Sequence, residues 1–254
     1  MWSDDDVRDA AAEWTWIPDG SRVHDDELLI VQRPAWVGGH VAVEGVRSAR
    51  PASELIDRAA TVASEWADDA LEWAVSDRDD PALDAALLAR GATLMEQLDV
   101  LALPLDRALG LPAGAGARRV ATRDDVLAVG RINTAVWANA EPDEARIAEV
   151  LREEQEGSGF RILAELDGEV VSTGGVTLAP GPRGTVARLW GAATLEHARG
   201  RGAYRAVLAE RLRLAAEAGA TLALVKGRIA TSAPILTRAG FRRYGGERRY
   251  RLPL

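Results

Sequence analysis

Arg199-Gly200-Arg201-Gly202-Ala203-Tyr204 is the stretch on which the reading of this chain turns. An apolar run over 186–194 precedes it and reads as a strand, and 204–218 reads as a helix. A strand, a glycine-bearing turn and a helix start together make an anion site. The first turn of a helix carries N–H groups with no intrahelical partner, and the helix dipole adds partial positive charge there. Glycines permit close approach to the backbone and the positive φ of a tight turn. Arg199 and Arg201 add fixed charge, so a phosphate or pyrophosphate is the expected guest. No Lys-Ser or Lys-Thr pair follows the glycines, which excludes a P-loop. Two glycines, one residue apart, fall short of a dinucleotide fingerprint.

The spacing Arg-x-x-Gly-x-(Gly/Ala) resembles the pyrophosphate loop of the GNAT superfamily of acyl-CoA N-acyltransferases, with Tyr204 standing where that family has Gly or Ala. The preceding Leu189-Trp190-Gly191-Ala192-Ala193-Thr194-Leu195-Glu196-His197-Ala198 resembles the family's fourth strand and its exit, with Glu196 where many members have proline. The resemblance implies that this strand splays from its neighbour and that the backbone of Ala192, Ala193 and Thr194 holds the pantetheine arm. Downstream, Ser232-Ala233-Pro234-Ile235-Leu236-Thr237-Arg238-Ala239-Gly240-Phe241 is similar to the family's last helix, with Gly240 as its C-cap. Leu236 occupies the place of a tyrosine that often protonates the coenzyme A thiolate. The resemblance covers about residues 118–254 and implies acetyl-CoA as cosubstrate, without a metal. The implied contacts are the loop residues Arg199, Gly200, Arg201, Gly202, Ala203 and Tyr204, together with Ser232 at the start of the last helix.

Bulk properties narrow the field further. The chain has 254 residues, 47% hydrophobic and 28% charged, enough for one large domain or two small ones. There is no cysteine, hence no disulfide framework and no thiol nucleophile. The three histidines lie far apart without ligand spacing, so no zinc site is expected. The N-terminus has neither a basic segment nor an apolar one, and no apolar run reaches the ~18 residues that span a membrane. A cytoplasmic protein is expected. The net charge of −8 argues against nucleic acid and favours cationic partners such as amines. Lys226 is the one lysine among 31 basic residues, a bias that points to a GC-rich bacterial genome.

Residues 110–117 are small, flexible and uncharged, and mark the expected boundary between domains at 1–112 and 117–254. The halves also align at an offset of 149, the difference between Gly240 and Gly91. The same offset takes Leu103-Pro104-Leu105 to Leu252-Pro253-Leu254 and Arg50 to Arg199. Such internal similarity predicts tandem copies of one fold. In the first copy Gly200-Arg201-Gly202 become Pro51-Ala52-Ser53, where proline offers no N–H and the added side chains crowd an anion. The first copy is therefore expected to be degenerate and to bind no acyl-CoA. This layout resembles bacterial tandem members of the superfamily. Six of the eight tryptophans fall in the first copy and read as core and interdomain packing, with a minority lining a substrate cavity between the halves as the alternative.

In the second copy the pattern predicts strand 117–121, helix 124–137, helix 143–156, a hairpin of 160–166 with 169–178 turning at Asp167-Gly168, and strand 185–194. The pyrophosphate loop, helix, strand 221–226, last helix and final strand 242–254 follow. The fold class is α/β, with a mixed sheet that is antiparallel early and parallel at the cofactor.

The resemblance implies direct acyl transfer from acetyl-CoA to a primary amine, of a small molecule or of a protein N-terminus. The fourth strand carries no carboxylate, so Glu165 on a neighbouring strand and Glu196 at the exit, beside His197, are the candidate bases, with water acting through backbone carbonyls an open alternative. Tyr204 is the phenol nearest the loop and the candidate acid, its hydroxyl bordering the acceptor cleft. Trp137, Asn139 and Glu141, between the first two helices, are candidate acceptor contacts. Leu236 leaves a second possibility open, an acyl-CoA sensor or scaffold without turnover. Either a monomer or a homodimer fits.

Overall fold

The computed structural model describes residues 1–105 and 116–254. The expected linker therefore lies outside the described residues except for Gly116 and Ala117. The described elements fall into two compact units. The loop-bearing unit comprises Met1–Ala10 and Ala102–Val225, and the other comprises Ala11–Leu101 and Lys226–Leu254. In this division the C-terminal residues join the N-terminal ones. The reason is strand pairing, described with the second unit below.

In the loop-bearing unit, β6 (Ala117–Arg119), α4 (Arg123–Trp137), α5 (Glu144–Glu156), β7 (Gly159–Leu166), β8 (Glu169–Ala179), β9 (Thr185–Thr194), α6 (Ala203–Glu217) and β10 (Ala220–Arg228, through Val225) follow in order. The strands lie in the order β10-β9-β8-β7-β6. Only the β9–β10 pair is parallel; the others are antiparallel, as the sequence led one to expect.

Local chemistry sets the ends of these elements. Thr122 caps α4 by accepting from the Asp125 N–H, while Asp125 accepts from the Thr122 N–H, a reciprocal capping box. Asp143 caps α5 through the Arg146 N–H, and Gly157 ends it in the left-handed region. Asp167 (φ 55) and Gly168 (φ 83) supply the two positive φ angles of a tight hairpin between β7 and β8.

Register assigns the two faces of this sheet. Leu163 pairs with Thr173 and packs with Val126, Val129, Ile147 and Val150, so this parity faces α4 and α5. Ile162 pairs with Gly174, which lies against Val207 and Arg211 of α6, so the opposite parity faces α6.

The second unit begins its sheet with β1 (Arg22–Asp25), β2 (Leu28–Gln32), β3 (Val41–Val46) and β4 (Ala70–Ser76), then β11 (Arg242–Pro253) and β5 (Thr93–Pro104, through Leu101). β11 pairs antiparallel with β4 from Glu247↔Ser76 to Pro253↔Ala70. Helices α2 (Ala52–Glu65) and α3 (Ala82–Ala89) cover Trp73, Leu71 and Val75, and Tyr250 and Leu252 of β11 complete that core. The last helix, α7 (Ser232–Arg238), also belongs here.

The repeat has a structural counterpart. Adding 149 to the ends of β5, 93 and 104, gives 242 and 253, the ends of β11. The succession α2, β4, α3, β5 is matched by α6, β10, α7, β11. Among the described residues, no helix is long and apolar enough to cross a membrane.

Candidate active site

The loop lies where β9 ends. A 3-10 turn, Glu196–Ala198, leads from the strand to Arg199. Gly200 (φ 76) and Gly202 (φ 91) are both left-handed, and nothing but the tip of Arg205 comes within 4 Å of a Cβ built on either. These glycines are therefore required by backbone angle and by what must approach, not by crowding within the protein. Gly202 is the N-cap of α6 and offers no side-chain acceptor, and the first turn of α6 holds no acid. A fifteen-residue helix thus starts with its orphan donors and its positive dipole end open to an anion.

The equivalent position in the first copy is chemically closed. Pro51 is the N-cap of α2, and Glu54 stands in the first turn. Arg50, the counterpart of Arg199, is taken up by Glu27 at 2.9 Å and Glu54 at 3.6 Å. A helix start bearing its own carboxylate repels a second anion.

β9 is built to release its edge. Its parallel pairing to β10 runs from Thr185↔Ala220 to Arg188↔Leu224 and goes no further along β9, whereas its pairing to β8 continues to Thr194↔Ser172. Gly191 (φ 60) makes a bulge there: Trp190 pairs with Gly175 and Ala193 with Thr173, so Gly191 and Ala192 together oppose Gly174. The splay implied by the resemblance is thus present, and the bulge comes in addition, signalled in the sequence only by one glycine inside a strand. Two of the three expected pantetheine carbonyls already accept from protein groups. Ser172 Oγ donates to Ala193 O at 2.9 Å, and Arg199 Nε donates to Thr194 O at 3.4 Å. Ser172 and Thr194 hydroxyls are joined at 2.8 Å.

The charged candidates separate. Arg201 pairs with Asp167 of the hairpin at 2.6 Å, with both side chains largely in solvent. Glu165 is ion-paired to Arg118 at 3.4 Å, and β8 lies between its strand and β9, so it does not join the bulge. Glu196 is exposed at the exit of β9, and His197 beside it meets Glu169 at 3.1 Å. Ser232 is half-buried at the start of α7, and Leu236 is fully buried; both belong to the other unit.

Tyr204 is the second residue of α6. It is half-buried, burial pushes its phenol up, and the charge that acts against that rise is Arg211, seven residues on along α6. Arg211 abuts Gly174 on the α6 face of the sheet. Positions 204 and 211 lie on one stripe of the helix.

On the α4/α5 face the structure supplies a residue that sequence reasoning passed over. Trp190 is 37% exposed although its strand is an inner one. Its Nε1 donates to Thr177 Oγ1 at 2.9 Å, its ring lies flat on Gly175, and the Arg161 guanidinium stands 5.2 Å from the ring centroid. Arg161 is fixed in turn by Glu153 (2.5 Å) and Glu154 (3.1 Å) of α5. The detectable signal was a lone aromatic paired with glycine on the next strand. Trp137 is half-buried at the end of α4, and Asn139 and Glu141 are exposed in the loop that follows. That loop is held by Pro142, whose Cδ would lie 2.5 Å from a Cβ on Gly130. Among the described residues, no group of three or more His, Asp or Glu side chains is placed to hold a metal.

Residues 127–233 match the acetyltransferase (GNAT) family model. No curated protein matches the chain in sequence. Three solved structures share its fold at low identity. A GCN5-related N-acetyltransferase from Kribbella flavida is 20% identical, with 98% of this chain and 95% of that one covered and a TM-score of 0.69. A tandem GNAT protein from the clavulanic acid biosynthesis pathway is 18% identical, with 96% and 87% covered and a TM-score of 0.63. A GCN5-related N-acetyltransferase from Sphaerobacter thermophilus is 17% identical, with 89% and 80% covered and a TM-score of 0.63. Residues 127–233 are accordingly a domain of the GNAT acetyltransferase family, carried on a fold shared with a tandem member of that family.

Proposed function

We propose that the protein transfers the acetyl group of acetyl-CoA to a primary amine, of a small molecule or a protein N-terminus, by direct attack. One observation carries this reading: the uncapped, acid-free start of α6 stands at the end of the strand whose edge β10 leaves open. The diphosphate binds the N–H groups from Gly200 to Tyr204 with Arg199 and Arg201 beside it, and the pantetheine arm follows β9 past Thr194, Ala193 and Ala192.

The unprotonated amine attacks the thioester carbon. A C–N bond forms, the C–S bond breaks with its electron pair on sulfur, the nitrogen loses one proton and the sulfur gains one. Negative charge on the carbonyl oxygen is met by a β9 N–H at the bulge. Glu196 takes the amine proton through water, since Glu165 is engaged by Arg118. Tyr204, whose phenol burial pushes up, is the proton donor nearest the loop. The acceptor enters on the Trp190 face, with Trp137, Asn139 and the Glu141 carboxylate drawing its cationic end. The first copy binds no acyl-CoA.

Release of coenzyme A thiol in the presence of an amine panel tests the reading. Amine-dependent release supports it, and tight binding without release turns it into the second reading, an acyl-CoA sensor. That alternative is favoured by Leu236, fully buried where the resemblance calls for a phenol.

A further inference from the structure

Arg211 is a charge without a counter-charge among the described residues. It is 1% exposed, and its Nε has no hydrogen-bond partner among the described residues. Burial pushes its guanidinium down to about 10, still protonated at neutral pH, and the group whose charge acts on it is the Tyr204 phenol. No carboxylate among the described residues pairs with it, whereas other charged side chains buried in this unit do have partners. Glu154 has Arg119 and Arg161, Asp125 has Arg118, and Glu210 has Arg213. A buried unpaired cation strongly destabilises a fold, and an apolar residue of equal volume removes that cost. Its presence here calls for a compensating gain.

Its position supplies one. Arg211 Nη1 would lie 2.6 Å, and Cζ 3.2 Å, from a Cβ on Gly174, so the guanidinium rests against the bare backbone of β8. Gly174 is the residue opposite the Gly191–Ala192 bulge of β9. The cation therefore sits directly behind the point where β9 turns its amides toward the open edge. Ser172 lies two residues before Gly174 on β8, its hydroxyl joined to that of Thr194, and the charge that acts on Arg211 is that of the Tyr204 phenol. Low-dielectric surroundings leave the field of such a charge poorly screened.

We propose that Arg211 is a positioning residue for the acyl transfer, its buried guanidinium serving through the β8 and β9 backbone as standing counter-charge for the negative charge that builds on the thioester oxygen and departing sulfur. The inference rests on the function proposed above. Acetyl-CoA itself is neutral at the thioester, so Arg211 acts little on its binding. It acts on the oxyanion and on the thiolate of coenzyme A. Gly174 is part of the device, because any side chain there displaces the guanidinium.

The test compares wild type, Arg211→Met and Arg211→Lys. Thermal unfolding checks the fold: Arg211→Met is expected to melt at or above the wild-type temperature. Calorimetry then measures acetyl-CoA and coenzyme A at neutral pH and at about pH 9, above the ~8.5 of a free thiol. Wild type should gain at least about 5-fold in affinity for coenzyme A relative to acetyl-CoA at the higher pH, and Arg211→Met should lose that gain. With an active acceptor, Arg211→Met should lower kcat at least about 10-fold, with the KM for acetyl-CoA within about 2-fold and Arg211→Lys recovering most of the loss. A wild-type protein that binds acetyl-CoA while Arg211→Met keeps both the thiolate preference and kcat overturns this inference and leaves the function standing. A wild-type protein that binds neither ligand overturns both.

Discussion

Trp190 lies across Gly175. A Cβ added at Gly175 would sit 2.5 Å from the indole Cε2 and closer still to Cζ2 and Cη2, while Thr177 holds the ring nitrogen at 2.9 Å. The ring cannot move away without losing that bond and its contact with Arg161. Gly175→Ala is therefore an overpacking change, expected to cost about 1–3 kcal/mol in urea unfolding. In the enzyme it should raise the acceptor KM while acetyl-CoA affinity in calorimetry stays within about 2-fold. An unchanged acceptor KM would remove Trp190 from the acceptor face.

Asp167 restrains Arg201, and both are exposed, so the pair itself contributes little to stability. Its effect falls on the ligand: the carboxylate competes with a diphosphate for the same guanidinium. Asp167→Asn should leave the melting temperature within experimental error and tighten acetyl-CoA about 2- to 5-fold at low salt, less at high salt. Weaker binding would show that Arg201 needs Asp167 to hold it in place.

The start of α4 makes the fold acid-sensitive. Burial of Asp125 works to raise its pKa. It is outweighed by the Arg118 guanidinium at 2.7 Å and by the N–H groups of Ala121 and Thr122, so the carboxyl is held well below the usual carboxylate range. A folded-state value below the unfolded one, about 3.9, means that the stability it lends is present above pH ~4 and is lost as pH falls toward the folded value. Asp125→Ala should destabilise by about 2 kcal/mol at pH 7 and flatten the acid limb of the stability curve below pH 4. A mutant whose acid limb matched wild type would exclude this carboxylate as its source.

Much of this architecture could be read locally. Asp124-Asp125 and Asp143 announced two helix starts, and Asp167-Gly168 announced the hairpin, because caps and turns are satisfied within a few residues. The glycines of the loop were legible for the same reason. What was hidden depends on partners distant in sequence. β11 and β5 have equal length and corresponding ends, so nothing local tells which of the two pairs with β4. Arg211 reads as a solvent-facing arginine until Gly174 is placed beneath it. Trp190 carries no mark in the sequence that sets it apart, and its exposure appears only once Gly175 is placed beneath it.

The central claim is that the Gly202 end of α6 holds the diphosphate of an acyl carrier while the Pro51 end of α2 does not. Calorimetric titration of the intact protein with acetyl-CoA, beside Gly202→Asp, addresses it most directly. Aspartate there adds a carboxylate facing the diphosphate and a side chain at φ 91, a backbone strain of ~1–2 kcal/mol that the fold should tolerate. The account predicts one site per chain in the wild type and at least about 10-fold weaker binding in the folded variant. Two sites per chain, or equal affinity in both proteins, would contradict it.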